Sequence, residues 1–311
     1  MPHPLDLPSG YSQRPLALAD ASAVTAAIAA SQLADLGRVD IEEADIIGDW
    51  QQPSYEVSEA SVGVMYGDEL IAYGECGGSF RGDAVVHPAH RGLGIGTAIA
   101  GWLRTRAGER GQPIIGMPNA EGSPGDVLLA GLGWFVRWHS WVLELPVGAA
   151  VPARSLPDGY RLRAAAPADY ESCWTVVEDA FLEWSERART PLADWLATVT
   201  GRPGFEPWQL RVVTDPAGDV VAVASLLLPG SSADAEVYVD KLATRKDHRG
   251  RGLAQALLAD SFDAGRAHGA RRCRLSTDSR TGALGLYEKV GMVVVETWVH
   301  RATHTSAYDV A

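Results

Sequence analysis

Arg249, Gly250, Arg251 and Gly252 stand directly before Leu253, Ala254, Leu257 and Leu258, an order of residue types that can hold a phosphate. Glycines let a backbone approach a ligand closely. The first amides of a helix lack an internal acceptor and point, with the positive end of the helix dipole, at an anion. The two arginines add positive charge. There is no Gly-x-Gly-x-x-Gly and no Gly-Lys-Ser/Thr, so the turn is neither a dinucleotide nor a P-loop fingerprint. Tyr287, farther on, carries a phenol that can act as an acid. Upstream, Glu236, Tyr238 and Asp240 share one face of a strand by period two, and the two carboxylates can act as bases. Positioning these groups requires a strand into the turn and a helix out of it. The alternation over 237–244 and the helical spacing from Leu253 supply both.

The arrangement occurs twice. Arg91-Gly92-Leu93-Gly94-Ile95-Gly96 repeats the turn 158 residues earlier, and Gly133 stands to Arg91 as Gly291 stands to Arg249. Leu7-Pro8-Ser9-Gly10-Tyr11 and Leu156-Pro157-Asp158-Gly159-Tyr160 open the two halves at an offset of 149. The second half has therefore grown by 9 residues, in its helical segment or its strand connections. A repeat this long is a domain and not a solenoid unit. The expected division is 1–146, a linker at 147–155, 156–302, and a flexible tail at 303–311. Helices are expected near 19–30, 41–50, 97–107 and 126–132, and again near 169–184, 192–199, 253 onward and 282–290. Strands fall between them, including a hairpin around Gly67-Asp68. The fold class is α/β (α+β mixed sheet) with flanking helices.

Arg249-x-x-Gly252-x-Ala254, followed by Leu286-Tyr287-Glu288-Lys289-Val290-Gly291-Met292, resembles the two signatures of the GNAT superfamily of acyl-CoA N-acyltransferases. The resemblance implies two tandem domains, each a splayed, mostly antiparallel sheet. It implies acetyl-CoA or another acyl-CoA, with its pantetheine along Leu242, Ala243 and Thr244 and its pyrophosphate on the amides of Arg249, Gly250, Arg251, Gly252, Leu253 and Ala254. Tyr287 takes the place of the family's general acid, and Glu236 or Asp240 that of the base. Ser279 stands where many relatives have asparagine beside the thioester. In the first half Val86, Arg91, Gly92, Gly94 and Gly96 match the cradle, but Leu129 replaces the phenol. The second half is thus expected to be catalytic and the first structural or cofactor-binding. Mycothiol synthases, tandem members of the family, share this length and duplication, with no local motif here to single out their substrate. The competing class is a non-catalytic acyl-CoA-binding or regulatory protein.

The chain has 311 residues, 46% hydrophobic and 21% charged, with no apolar run of membrane-spanning length and no signal-like start. A cytoplasmic protein with no membrane partner is expected, monomeric or homodimeric, acting on a small-molecule amine. Cys76, Cys173 and Cys273 are far apart, which suggests buried thiols and neither disulfides nor a metal site. Residues 1–150 carry 18 acids against 8 arginines, and the rest of the chain 21 acids against 19 bases. So acidic a chain is a poor partner for nucleic acid.

Overall fold

A computed structural model describes residues 4–78, 80–229 and 235–305. The chain divides into two compact units, one running to His139 and resuming at Trp298, the other Ser140–Thr297. The first contains β1 (Tyr11–Arg14), α1 (Ala21–Leu36), α2 (Glu43–Trp50), α3 (Val57–Ala60), β2 (Ser61–Tyr66), β3 (Glu69–Cys76), β4 (Gly82–Val86), α4 (Ile95–Glu109), β5 (Ile114–Ala120), α5 (Pro124–Gly131) and the start of β6 (Phe135–Leu145). Strands β1 to β4 form an antiparallel meander in sequence order. The strand β5 meets the base of β4 at one parallel bridge, Arg81 to Gly116, and the two are otherwise unpaired among the described residues.

The second unit contains β7 (Arg161–Ala164), α6 (Tyr170–Leu182), α7 (Leu192–Thr198), β8 (Leu210–Thr214), β9 (Val220–Leu227), β10 (Glu236–Thr244), α8 (Leu253–Ala267), β11 (Arg272–Asp278), α9 (Leu284–Lys289) and the start of β12 (Val293–His304). Its sheet runs β7-β8-β9-β10-β11 and then residues 140–145 of β6. Among the described residues only β10 and β11 run parallel there, over Glu236–Val239 opposite Arg272–Leu275. Each unit has its own apolar core under the helix that follows the glycine turn. Ile95, Ile99 and Leu103 anchor α4, and Leu253, Leu257 and Phe262 anchor α8. Full burial stabilises each such side chain by about 1.5–3 kcal/mol. Among the described residues no helix is long and apolar enough to cross a membrane.

The boundaries differ from those expected because the chain passes between the units inside β6 and β12. Residues 140–145 pair with β11, and residues 298–304 pair with β5. The segment 147–155 is docked on the second unit: Val151 is buried, Ala149 accepts from Arg266 and Pro152 from Gln255, both at 2.7 Å. The supposed tail is held at its start. Thr303 and His304 end β12, and Thr305 is buried with its hydroxyl donating to Gln112. The remainder, 306–311, lies outside the described residues.

Other expectations are corrected. The helix near 19–30 extends to Leu36, where Gly37 (φ 72°) ends it in the left-handed region. Strands β1 and β7, four residues each, were not expected. Part of the 9-residue growth lies in a strand connection as expected, between β9 and β10, where eight residues replace the five between β3 and β4, and part lengthens β10 itself, which has nine residues against the five of β4. The shared face of Glu236, Tyr238 and Asp240 is broken by a bulge at Asp240. Val239 opposes Leu226, and the next pair is Lys241 with Ser225.

Candidate active site

In the second unit β10 and β11 part after Val239 and Leu275. From Asp240 to Thr244 the β11-side edge of β10 has no strand partner among the described residues. Leu242, Ala243 and Thr244 therefore offer backbone groups to an extended ligand, as an added strand would use them. The Thr244 hydroxyl is buried without a hydrogen-bond partner. The turn beyond carries Gly250 (φ 75°) and Gly252 (φ 80°) in the left-handed region, where a side chain is strained. Gly252 caps α8, with Leu253 buried and Ala254 half-buried behind it.

The three arginines at this turn have different tasks. Arg249 folds back, donating Nε to the Thr244 carbonyl at 3.0 Å and its two terminal nitrogens to Glu183 at 2.7 and 2.8 Å. It ties the turn to the end of α6, and its hydrogen bonds and charge hold the Glu183 carboxyl below its usual range. Arg251 donates to the Tyr160 hydroxyl at 2.7 Å and the Asp247 carbonyl at 3.2 Å, and has no carboxylate partner among the described residues. Arg154, from the docked linker, lies directly on Gly252: a Cβ there would sit 2.6 Å from the arginine Nε. It has no hydrogen-bond or ion-pair partner among the described residues. Two positive charges thus stand at the positive end of a helix with no acid to balance them, which fits an anionic ligand such as a pyrophosphate.

Tyr287 is on α9, 8% exposed and packed into the same core as Leu253 and Leu257. Burial pushes its phenol up to about 12. Asp240, half-buried at the point where the strands part, has Oδ1 2.8 Å from the Lys241 ammonium. Glu236 is elsewhere, at the paired end of β10, opposite Arg272. Its carboxylate lies 3.2 Å from Arg274, which is 2% exposed, pairs also with Glu296 and approaches Glu144 at 3.6 Å. Ser279 is exposed in the turn after β11. The acids of α6 are engaged internally, Glu178 by both terminal nitrogens of Arg187 and Asp179 by Arg189. The cysteine thiols are buried, and burial pushes Cys76 and Cys273 up to about 11 and Cys173 to about 12, which makes them poor nucleophiles.

The first unit repeats the scaffold. Arg91 donates Nε to Val86 and its terminal nitrogens to Asp35 and Ser31. Tyr11 meets His90 at 2.8 Å as Tyr160 meets His248. Gly92 and Gly94 are left-handed, and Gly96 starts α4 close against Leu128. A cavity of about 660 Å³ runs from this turn to Glu75 on β3 and Asp83 on β4. Neither those two acids nor Arg154 were singled out by motif. The offset of 149 places Arg154 against Leu5, an apolar residue packed on the first core, and that change of type was the available signal.

The Acetyltransferase (GNAT) family model matches residues 168–292. A mycothiol acetyltransferase of Salinispora tropica is 32% identical over 219 residues, 67% of this chain and 68% of that protein. One from Thermobispora bispora is 30% identical, over 72% and 77%. Among solved structures, a GCN5-related N-acetyltransferase from Sphaerobacter thermophilus superposes with a TM-score of 0.72 over 96% of both chains, at 26% identity. A tandem GNAT protein from the clavulanic acid biosynthesis pathway shares the fold, with a TM-score of 0.70 over 94% of this chain and 98% of that one, at 18% identity. With the cradle built twice and the strands parted above it, the chain belongs to the GNAT acetyltransferase family, as a tandem, acyl-CoA-dependent N-acetyltransferase.

Proposed function

We propose that the second unit transfers an acetyl group to the primary amine of a small molecule by direct attack. The observation that carries this reading is Tyr287: the matching position of the first unit is Leu129, 3% exposed and without a proton to give. The family match over 168–292 also falls on this half. Acetyl-CoA, when bound, supplies an activated carbonyl carbon and a sulfur leaving group, so that a C–N bond forms as the C–S bond breaks. The open edge of Leu242, Ala243 and Thr244 would hold the pantetheine, and a backbone amide near Leu242 would donate to the carbonyl oxygen. The amides from Arg249 to Ala254, with Arg251 and Arg154, hold the phosphates.

Asp240 takes the proton that the alkylammonium must lose before nitrogen can attack. Both acids have a cation beside them, but Glu236 is less suited because it is buried in the zipped part of the sheet, whereas Asp240 is half-exposed where the strands part. Tyr287 stays protonated throughout the working pH range. Full transfer of its proton to a thiolate with a pKa of about 8.5 is uphill from 12, so its contribution is a hydrogen bond to the departing sulfur. The proton shed by nitrogen as the amide forms balances the one that sulfur acquires. The relatives named mycothiol acetyltransferase make the unacetylated form of mycothiol the first acceptor to try.

The test follows thiol release from acetyl-CoA across amines that include that acceptor, with wild type and Tyr287→Phe. The variant is expected to lose about 10²–10³-fold in kcat with little change in acetyl-CoA affinity, the worth of one hydrogen-bond donor to a developing charge. In the wild type, Tyr287 is expected to cause no alkaline decline below about pH 11. Wild-type kcat in Tyr287→Phe would remove the reason for placing catalysis in the second unit.

A further inference from the structure

We propose that the cavity of the first unit binds an organic cation, its ammonium held between the carboxylates of Glu75 and Asp83. The inference does not depend on which unit turns over. The two acids are direct cross-strand partners on β3 and β4, and both line the 660 Å³ cavity, a volume suited to a small organic molecule. Like charges placed opposite each other on a sheet repel. One of them is balanced: Arg81 grips Asp83 with Nε at 2.7 Å and a terminal nitrogen at 3.0 Å. Glu75 has neutral donors instead, the Trp50 indole at 2.7 Å and the Tyr55 hydroxyl at 3.4 Å, both on its Oε2.

Burial, then the charge of Asp83, push the Glu75 carboxyl up to about 7, with Asp49 of α2 adding to the rise and the Trp50 hydrogen bond and Arg81 opposing it. The walls suit the rest of such a ligand. Tyr73, Ile28 and Ile46 line the cavity with apolar surface and Asp45 and Asp49 extend its negative lining, while Arg81 and Arg91, which also line it, are paired with Asp83 and Asp35. An anion would meet a carboxylate already short of balancing charge. A cation would relieve the Glu75–Asp83 repulsion and favour the ionised form of Glu75, so its binding near pH 7 expels a proton.

The test is calorimetric titration of the full chain at pH 7 with spermidine, benzylamine and glucosamine, each in buffers of different ionisation enthalpy. At least one is expected to bind at a single site with release of a fraction of a proton, since burial and Asp83 raise the Glu75 carboxyl to about 7. Glu75→Gln is expected to weaken that binding at least about tenfold and to abolish the release. No binding by any of the three, or binding that survives Glu75→Gln unchanged, overturns the proposal. Should that variant not fold, wild-type proton release decides alone: release supports the site, and no change or uptake overturns it.

Discussion

In each unit one arginine of the glycine turn folds back onto the preceding strand and grips an acid on the first long helix or its end, Arg91 with Asp35 and Arg249 with Glu183. In each, a tyrosine from the start of the repeat reaches the histidine before that arginine. The turns differ in what is added. Arg251 and Arg154 bring unbalanced positive charge to the second, where the first has Leu93 and Leu5. The first unit carries acids instead, in a cavity beside its turn. A duplicated scaffold has thus kept the hydrogen bonds that shape the turn and changed the charges that choose a ligand. The arginine of the motif belongs to the shape, and the positive charge left without a carboxylate partner at the second turn comes from arginines outside the motif's fixed positions.

A second difference lies behind the point where the strands part. The second unit zips β10 to β11 over four residue pairs and fills that region with Arg274 and the carboxylates of Glu144, Glu236 and Glu296. The matching position in the first unit is Gly116, whose space is taken by the backbone of Arg301. Arg274→Ala is expected to cost about 3–5 kcal/mol, because it removes the buried guanidinium that Glu236 and Glu296 pair with, while Glu144 keeps Arg272. Chemical denaturation read by fluorescence measures it. Gly116 offers no equivalent side chain to delete, so a loss under about 1 kcal/mol for Arg274→Ala would show that the network adds nothing to the second unit.

The repeat, the two turns and the order of elements were legible because they rest on local signals: glycines that must be left-handed, alternation, and helical spacing. Gly94 and Gly252 are left-handed caps, and α4 and α8 begin where the spacing changes. The fate of Glu236 was not legible, since Arg274 is 38 residues away and nothing in period two reports a bulge at Asp240. The unit boundaries were hidden for the same reason, because β6 and β12 are each one uninterrupted strand pattern that serves both units. Charge at the site was misjudged where partners are distant in sequence, as with Arg249 and Glu183, 66 residues apart.

Arg154 gives the sharpest test of the contrast in charge. Arg154→Ala is expected to weaken acetyl-CoA binding to the second unit about tenfold, the worth of one charge-assisted contact, and to flatten the salt dependence of that binding. Titration at two ionic strengths reads both effects. Tighter binding in the variant would mean that the arginine obstructs the turn, and the two turns would then differ in access and not in affinity.

The smallest effects are expected from the feature that the turns share. Arg91→Ala and Arg249→Ala each remove a partly exposed ion pair, and each is expected to cost about 0.5–1 kcal/mol, with similar values in both units. The second has a pH signature. Glu183 is held below its ordinary value of 4.5 in the folded chain, so its pairing stabilises above that value and the stability is lost as pH falls through the lower, folded one. The gap between wild type and Arg249→Ala should therefore be full at pH 7 and narrow as pH falls below 4.5. Paired melting curves over that range check it. A gap that does not narrow at all as pH falls below 4.5 would mean that Arg249 acts through its Nε bond to Thr244 and not through Glu183. The same bond, from Arg91 to Val86, would then be the common element that shapes both turns.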